Sequence, residues 1–227
     1  NATGNLAERI EDSDTQVTLE HVVAQLRHLE SPTTPLNEIQ NYMRYQRTGR
    51  FHVLASRERA VRRVEDGTET GAVVWSEPTI GREDFHRVHQ LLTKVFSALV
   101  IDSGNNEAEY AFRAALEVAD QLIIPLEWLA ESCDKAGRLL ASLEEAGYKR
   151  LADQAIIIAT HGPGVQADPE RRASYMAMFT RWGNRVLDLP TDPALVLTRD
   201  QRFNWSALQP ATQDAAVAIA VETTRSW

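Results

Sequence analysis

The sequence predicts an α/β fold in which a doubly wound, mostly parallel sheet is flanked by helices. From Phe51 onward, short runs rich in Val, Ile and Leu alternate with longer amphipathic stretches. Some of the short runs are almost continuously apolar, which is expected of parallel strands that helices cover on both faces. Right-handed strand–helix–strand connections then build a three-layer sandwich of helices, sheet and helices.

Five apolar runs are predicted to be the strands of this sheet. They cover residues 51–55, 98–102, 121–125, 155–160 and 185–189. The runs that begin at Ala98, Gln121 and Ala155 are nearly continuous in their apolar character, so both of their faces are expected to be buried. Residues 72–75 could add one further brief strand.

Four amphipathic stretches in the same part of the chain are predicted to be helices, because their apolar residues recur three or four positions apart. Glycine follows the second and the third, as is typical just beyond a helix end, and proline stands near the start of the third and the fourth. These stretches run from Phe85 to Val95, from Cys133 to Ala146 before Gly147, from Pro169 to Trp182 before Gly183, and from Pro210 to Ala220.

The first fifty residues are predicted to differ from the rest. Val22, Leu26 and Leu29 mark a short amphipathic helix that follows Thr18, a residue suited to the N-cap. Residues 31–50 are polar and contain two prolines, so we expect a loop with one short helix there. The length of 227 residues and the lack of a low-complexity linker fit a single domain over 1–227.

The composition is that of an ordinary globular protein, with 43% hydrophobic and 25% charged residues. A formal net charge of -8 disfavours general binding to nucleic acid or anionic lipid. Cys133 is the single cysteine, so no disulfide can form within the chain, and we expect it to be buried on a helix. Together with the lack of a signal-peptide pattern, this predicts a cytoplasmic setting.

Ligands of open α/β sheets bind beyond the carboxyl ends of the strands, so three predicted strand ends are candidate sites. Asp102 closes an apolar run and precedes Ser103 and Gly104, a pattern that can hold a Mg²⁺-bound water but is also ordinary loop chemistry. Thr160 and His161 could contact a base or sugar, or simply form a turn.

Pro190 and Asp192 follow the last predicted strand. With Pro193 they define a rigid loop that could line a base pocket or merely end the strand. His86 and His89 have a helical spacing that can bind metal, but nothing like a metal-ligand motif accompanies them, so a surface pair is favoured.

Several catalytic motifs do not occur in the sequence. It contains neither a Gly-x-Ser-x-Gly elbow nor a zinc-ribbon spacing. It also contains no Gly-x-x-x-x-Gly-Lys-Ser/Thr loop, the segment that cradles the phosphates in P-loop ATPases.

The order of segments nevertheless resembles MinD/ParA-type ATPases, in particular actinobacterial MinD-like proteins with a P-loop NTPase fold. The resemblance extends over the whole chain and rests on ordered segments. Phe51-His52-Val53-Leu54-Ala55-Ser56 resembles their third strand, and Leu99-Val100-Ile101-Asp102-Ser103-Gly104 resembles their Walker B and switch II strand. The segments 117–125 and 208–215 resemble a later strand and the closing helix.

The resemblance implies a role for each matched residue. Asp102 would be the Walker B carboxylate that acts on Mg²⁺ through water, and Gly104 and Asn105 would form the switch that senses the γ-phosphate. Thr160 stands where the family usually has an adenine-reading asparagine, a departure that argues against tight adenine recognition. Pro190 and Asp192 would flank the base from the other side.

The resemblance also implies an ATP-dependent switch for positioning, partitioning or secretion-associated assembly, which forms a homodimer when ATP binds. By that alignment the chain begins after the phosphate loop, its helix and the second strand, so we expect these to exist upstream of Asn1. Without them the chain should not hydrolyse ATP.

Two other functions remain open. A catalytically inactive relative could keep the fold and use its surfaces to bind a protein partner, which Thr160 and the absent loop favour. An ordinary Rossmann-like enzyme for a small metabolite would need a glycine-rich dinucleotide turn, and none follows a predicted strand.

Overall fold

The structure, a computed structural model, describes residues 17–46, 50–55, 61–65, 68–74, 80–103, 110–161, 168–195 and 204–225. The chain divides into two compact units, Asn1–Val118 and Ala119–Trp227. A compact unit is not necessarily an independent domain, so the single domain over 1–227 stays a prediction.

The first unit opens with three short helices, α1 (Leu19–Ala24), α2 (Leu26–Leu29) and α3 (Leu36–Gln40). Thr18 is the N-cap of α1, as predicted. Its backbone N–H donates to Nδ1 of His21 over 3.2 Å, which satisfies a donor that the first helical turn leaves unpaired.

Two antiparallel hairpins follow. Strands β1 (Arg44–Gln46) and β2 (Phe51–Val53) form the first, and β3 (Val61–Glu65) and β4 (Thr68–Val74) form the second. The predicted strand 51–55 is therefore present but shorter, and its partner is antiparallel. Strands β1 and β3 were not predicted from the sequence, and the three residues of β1 are too few to show a period. Residues 72–74 of the brief strand predicted at 72–75 lie at the end of β4, and Trp75 lies outside the described residues.

Helices α4 (Arg82–Leu92) and α5 (Tyr110–Val118) complete the first unit. Val88 and Leu91 of α4 pack into one buried cluster with residues of α1 to α3. At its rim the Arg87 guanidinium donates to both carboxylate oxygens of Glu30, over 2.9 and 2.6 Å. This charge-assisted hydrogen bond holds the pKa of Glu30 below its usual value. The cluster consists of Val22, Leu26, Leu29, Ile39, Val88 and Leu91.

The prediction of a strand at residues 98–102 is wrong. These residues form neither helix nor strand, and Val100 is 94% exposed. An apolar run has a propensity to be a strand, but it becomes one only where a second strand offers hydrogen bonds and a surface to cover. Among the described residues no strand pairs with this segment.

The second unit contains a three-stranded parallel sheet flanked by helices. The strands β5 (Ile123–Glu127), β6 (Ile156–Thr160) and β7 (Arg185–Leu189) lie in chain order, with β6 in the centre. Helices α6 (Ala130–Glu145) and α7 (Lys149–Asp153) connect β5 to β6, and α8 (Pro169–Trp182) connects β6 to β7. Two short 3-10 turns (Pro193–Leu195, Trp205–Ala207) lead to α9 (Pro210–Thr224). All three strands were predicted within about two residues.

Glycine ends α6 and α8 as the sequence predicts. Gly147 and Gly183 both have a φ near +90°, the left-handed conformation that glycine adopts without steric cost. In each case the next residue donates its N–H back into the last turn, from Tyr148 to the Leu143 carbonyl and from Asn184 to the Phe179 carbonyl. Both ends are therefore Schellman motifs.

Helices α6 and α8 pack closely against each other. Gly137 on α6 leaves room for Met178 of α8, since a Cβ added there would lie 3.2 Å from the Met178 Cε. Close by, the Tyr175 hydroxyl donates to the Asp134 carboxylate over 3.0 Å. Helix α9 joins the sheet differently, through an ion pair between Arg185 on β7 and Glu222.

Cys133 lies at the first turns of α6 and is fully buried, as predicted. Its thiol points to the Glu127 carbonyl at 3.8 Å, a weak hydrogen bond. Burial, reinforced by the negative charge of Asp134, raises the pKa of the Cys133 thiol to about 11. A thiol with this environment is unreactive at neutral pH.

The outer edge of β5 contains Pro125. Trp128 donates its N–H to the Thr160 carbonyl and Leu122 accepts from Ile156, so residues at even positions of β5 direct their peptide groups to β6. Pro125 is odd-numbered, and its missing N–H therefore lies on the side away from β6. This placement explains how a proline is tolerated inside an apolar strand.

A helix that crosses a bilayer must be both long and apolar. Among the described residues, no helix meets both requirements.

Candidate ligand site at the carboxyl edge of the parallel sheet

The register of the sheet brings two predicted site residues to one place. Glu127, Thr160 and Leu189 are aligned across the three strands, and each is the last residue of its strand. Thr160 therefore lies at the carboxyl edge beside Leu189, and Pro190 follows at once. This is the edge at which open α/β sheets bind ligands.

Thr160 is partly buried and its hydroxyl is already engaged. It donates to the Leu126 carbonyl on β5 over 3.3 Å. A hydroxyl that donates inward still offers its lone pairs as acceptors. In this conformation Thr160 could accept a hydrogen bond from an amino group, and it would need to rotate before it could donate to a ligand.

A cluster of three side chains lies at the same edge. The indole N–H of Trp128 donates to Oδ1 of Asp188 over 2.7 Å, and Arg172 donates to Oδ2 of Asp188 over 2.5 Å. The Arg172 Cζ lies 5.0 Å from the centre of the Trp128 ring, within the range of a cation–π interaction. Each of the three groups thus contacts the other two.

The positions of these side chains follow from the local sequence. Trp128 is the first residue after β5, and Asp188 is the fourth residue of β7. Both lie on the same face as the fully buried Ala159 of β6, whose methyl side chain leaves room for an indole to reach across the central strand. Arg172 lies in the first turn of α8, which Asp168 caps by accepting from the Glu170 N–H.

Asp192 fastens the loop that follows β7. It is 2% exposed, and its two carboxylate oxygens accept from the backbone N–H groups of Ala194 and Gln209, over 2.9 and 2.7 Å. The bond from Gln209 is the main cause that holds the pKa of Asp192 below its usual value. Asp192 therefore has a structural function here, and its predicted contact with a nucleotide base stays a prediction.

A second contact ties the same loop to β6. The Thr191 hydroxyl donates to the His161 carbonyl over 2.5 Å. Because Thr191 precedes Asp192, the loop is held at both the sheet and the start of α9. Pro190, between β7 and these anchors, is consequently fixed at the carboxyl edge.

No family model, no curated protein and no solved structure matches this chain.

The remaining predicted site residues belong to the first unit. Asp102 is exposed and lies in the irregular segment at 98–102, while Gly104 and Asn105 are outside the described residues. A carboxylate that acts on Mg²⁺ through water needs further oxygen ligands, which nucleotide phosphates supply in such sites. Asp102 is accessible enough for that role, but its placement at a strand end, on which the prediction depended, is not found.

The side chain of His86 contacts a carboxylate of the neighbouring helix α5. Its Nε2 lies 2.8 Å from a carboxylate oxygen of Glu117 on α5, which Arg82 also contacts over 2.8 Å. Hydrogen bonds from Arg82, and then from His86, hold the pKa of Glu117 below its usual value. Within the described parts of the chain, no three His, Cys, Asp or Glu side chains are grouped as a metal site would require.

The cluster of Trp128, Arg172 and Asp188 was not predicted from the sequence. One signal was available, because a tryptophan directly after an apolar strand lies at the edge where ligands bind. The other two residues gave no signal, since they are 44 and 60 positions further along the chain and look like ordinary surface charges.

Proposed function

We propose that this protein is a nucleotide-dependent switch of the MinD/ParA class and that the carboxyl edge of β5, β6 and β7 is its nucleotide-base side. The observation that carries the proposal is the register of the sheet, which aligns Thr160 with Leu189 and so puts Thr160 beside Pro190. In the resemblance these two positions, together with Asp192, are the ones that contact the base.

The finer fold is part of the same proposal. A P-loop-like, doubly wound three-layer sandwich is compatible with the three parallel strands, with the connecting helices α6, α7 and α8, and with the contact of α9 with β7 through Glu222. In such a sandwich the phosphates bind beyond the carboxyl ends of central strands, near the proposed base site.

The proposed chemistry assigns separate tasks to the parts of the protein. ATP with Mg²⁺ would supply the energy of the switch, and Asp102 would orient the metal through water, with Gly104 and Asn105 beside the γ-phosphate. Thr160 and Pro190 would hold the base. Hydrolysis needs a lysine-bearing phosphate loop, which the 227 residues do not contain, so we expect binding without turnover from these residues alone. ATP-dependent homodimerisation in the cytoplasm completes the proposal.

Replacement of Thr160 tests the base site. Thr160→Asn introduces an amide that can both donate to and accept from adenine, so we expect it to tighten ATP binding about tenfold, the effect of one good hydrogen bond. Equilibrium dialysis with labelled ATP and GTP measures both affinities. Thr180→Asn, at an exposed position of α8, is the matched control and should change neither.

The outcome decides between two functions. An increase in the affinity of Thr160→Asn for ATP that exceeds any increase for GTP supports the proposed nucleotide-dependent switch. If the folded chain and both variants bind neither nucleotide, the base site does not exist and the switch proposal is wrong.

In that case a partner-binding, catalytically inactive relative is the better account, and one observation already favours it. Leu99, Val100 and Ile101 form an apolar stretch outside any helix or strand, and Val100 is 94% exposed. Apolar side chains presented in this way are typical of surfaces that bind another protein.

A further inference from the structure

We propose that the guanidinium of Arg172 is a stacking platform for the planar ring of a nucleotide base at the carboxyl edge of the sheet. This inference rests on the proposed nucleotide function and adds a residue to which the resemblance gives no role. It stands on the geometry of Arg172, Trp128 and Asp188.

Arg172 is held in place from two directions. The Trp128 ring lies against it at 5.0 Å, and the Asp188 carboxylate accepts from it over 2.5 Å. Trp128 is itself fixed, because it is 6% exposed and its indole N–H is bonded to the same carboxylate. An arginine anchored in this way loses little further side-chain entropy when a ligand binds to it.

The side chain remains accessible despite these anchors. Of the Arg172 side chain, 37% is exposed, whereas the indole beneath it is buried. The Arg172 Cζ lies over the Trp128 ring, so a planar ring that stacks on the guanidinium must approach from solvent, away from the buried indole. Flat guanidinium groups stack on the rings of nucleobases as aromatic side chains do.

The charge of the cluster favours a ring over a phosphate. Asp188 already neutralises Arg172 with a short charge-assisted hydrogen bond, and its carboxylate would repel an anion brought to the same place. Stacking needs only the face of the guanidinium and leaves this ion pair intact. Pro190 follows the end of β7, two residues beyond Asp188, and so lies at the same edge.

The test separates stacking from charge. Arg172→Lys keeps the positive charge for Asp188 but removes the flat group. We expect it to weaken ATP and adenosine binding about tenfold and to leave the binding of inorganic tripolyphosphate unchanged. Arg171→Lys is the matched control, since Arg171 is exposed in the same turn of α8. Calorimetry on the 227-residue chain measures all three ligands, with circular dichroism to verify folding.

Any other result contradicts the proposal that Arg172 stacks on the base. The individual results also show whether the proposed nucleotide function fails with it. Equal ATP affinity in all three proteins means that Arg172 does not touch the base, while the switch proposal stands. An equal loss of tripolyphosphate binding makes Arg172 a phosphate contact. If the folded unmodified chain binds neither ATP nor adenosine, both proposals are wrong.

Discussion

Asp192 shows how one buried carboxylate organises a stretch of chain that has little regular structure. It accepts from the N–H of Ala194 within its own loop and from the N–H of Gln209 at the start of α9. An aspartate between two prolines suggested a turn, and the turn is present. Its second partner lies 17 positions away, a distance that no local pattern reveals.

Replacement of Asp192 should therefore destabilise the second unit in a pH-dependent way. In Asp192→Asn, one of the two acceptor oxygens becomes an amide NH2 that opposes a backbone N–H, of either Ala194 or Gln209, so we expect Tm to fall by several degrees at pH 7. The folded-state pKa of Asp192 is lowered from 3.8, so the stabilisation is fully present above that value.

As the pH falls below 3.8 the unfolded state binds a proton first, and the stabilisation is lost as the pH falls through the lower pKa of the folded state, so the difference between the two proteins should shrink. Thermal melts between pH 7 and pH 2.5 test this. Asp214→Asn, exposed on α9, serves as the control and should match the unmodified chain throughout. A difference in Tm that stays constant with pH would show that the charge of Asp192 is not the cause.

At the scale of whole elements, the features predicted best from the sequence were helix ends and strands, which depend on residues close to one another in the chain. The ends of α6 and α8 were marked by glycine and the start of α9 by proline, because helix termini need particular backbone conformations at fixed positions. The parallel strands were also found. Strand β6 is buried along almost its whole length, as its continuous apolar run predicts, whereas the expected burial of both faces is wrong for β5, in which buried and exposed residues alternate.

Residues 98–102 had the same apolar composition but did not become a strand. A segment becomes a strand only when it forms hydrogen bonds with a second strand, and that second strand is not part of the local sequence. For the same reason the three-residue strand β1 was missed although β2, its partner, was found. Contacts such as that of Trp128 with Asp188, 60 positions apart, depend on the completed sheet and could not be predicted.

The two helix-ending glycines make a matched pair for measuring close packing. Gly147→Ala and Gly183→Ala impose the same left-handed strain of roughly 1–2 kcal/mol, since both have φ near +90°. An alanine Cβ at 147 meets nothing within 4 Å, whereas at 183 it lies 3.1 Å from the Asp153 carbonyl oxygen. We expect Gly183→Ala to cost about 1–3 kcal/mol more, the usual range for overpacking.

Urea denaturation of both variants measures this difference directly, because the strain they share cancels. Equal losses of stability would mean that the turn between α8 and β7 yields without cost, and that Gly183 is needed for its backbone conformation alone.

At the scale of the whole molecule, the open side of β5 determines how the chain can associate. Among the described residues β5 pairs with β6 alone, and Pro125 removes a donor from its outer side. Proline at an edge strand hinders pairing with a strand of another molecule. The proline inside the predicted strand 121–125 was therefore a signal in the sequence that one side of this strand lacks a complete set of hydrogen-bonding groups.

Pro125→Val restores the missing N–H and introduces a residue of high strand propensity, so we expect it to self-associate without ATP more strongly than the unmodified chain, in a concentration-dependent way. Analytical ultracentrifugation over a hundredfold range of concentration detects it. Pro32→Val makes the same exchange at an exposed turn of the first unit and should stay unaffected. Identical sedimentation of all three proteins would show that something other than Pro125 protects this edge.

The burial of the single cysteine makes it possible to measure how fast the second unit opens. Cys133 is enclosed where α6 meets the end of β5, and at neutral pH it can react with a thiol reagent only after that region has opened. The rate of modification at high reagent concentration is thus the opening rate of the second unit, obtained without any engineered probe. Comparing that rate with and without ATP would report how strongly a bound nucleotide holds this unit closed.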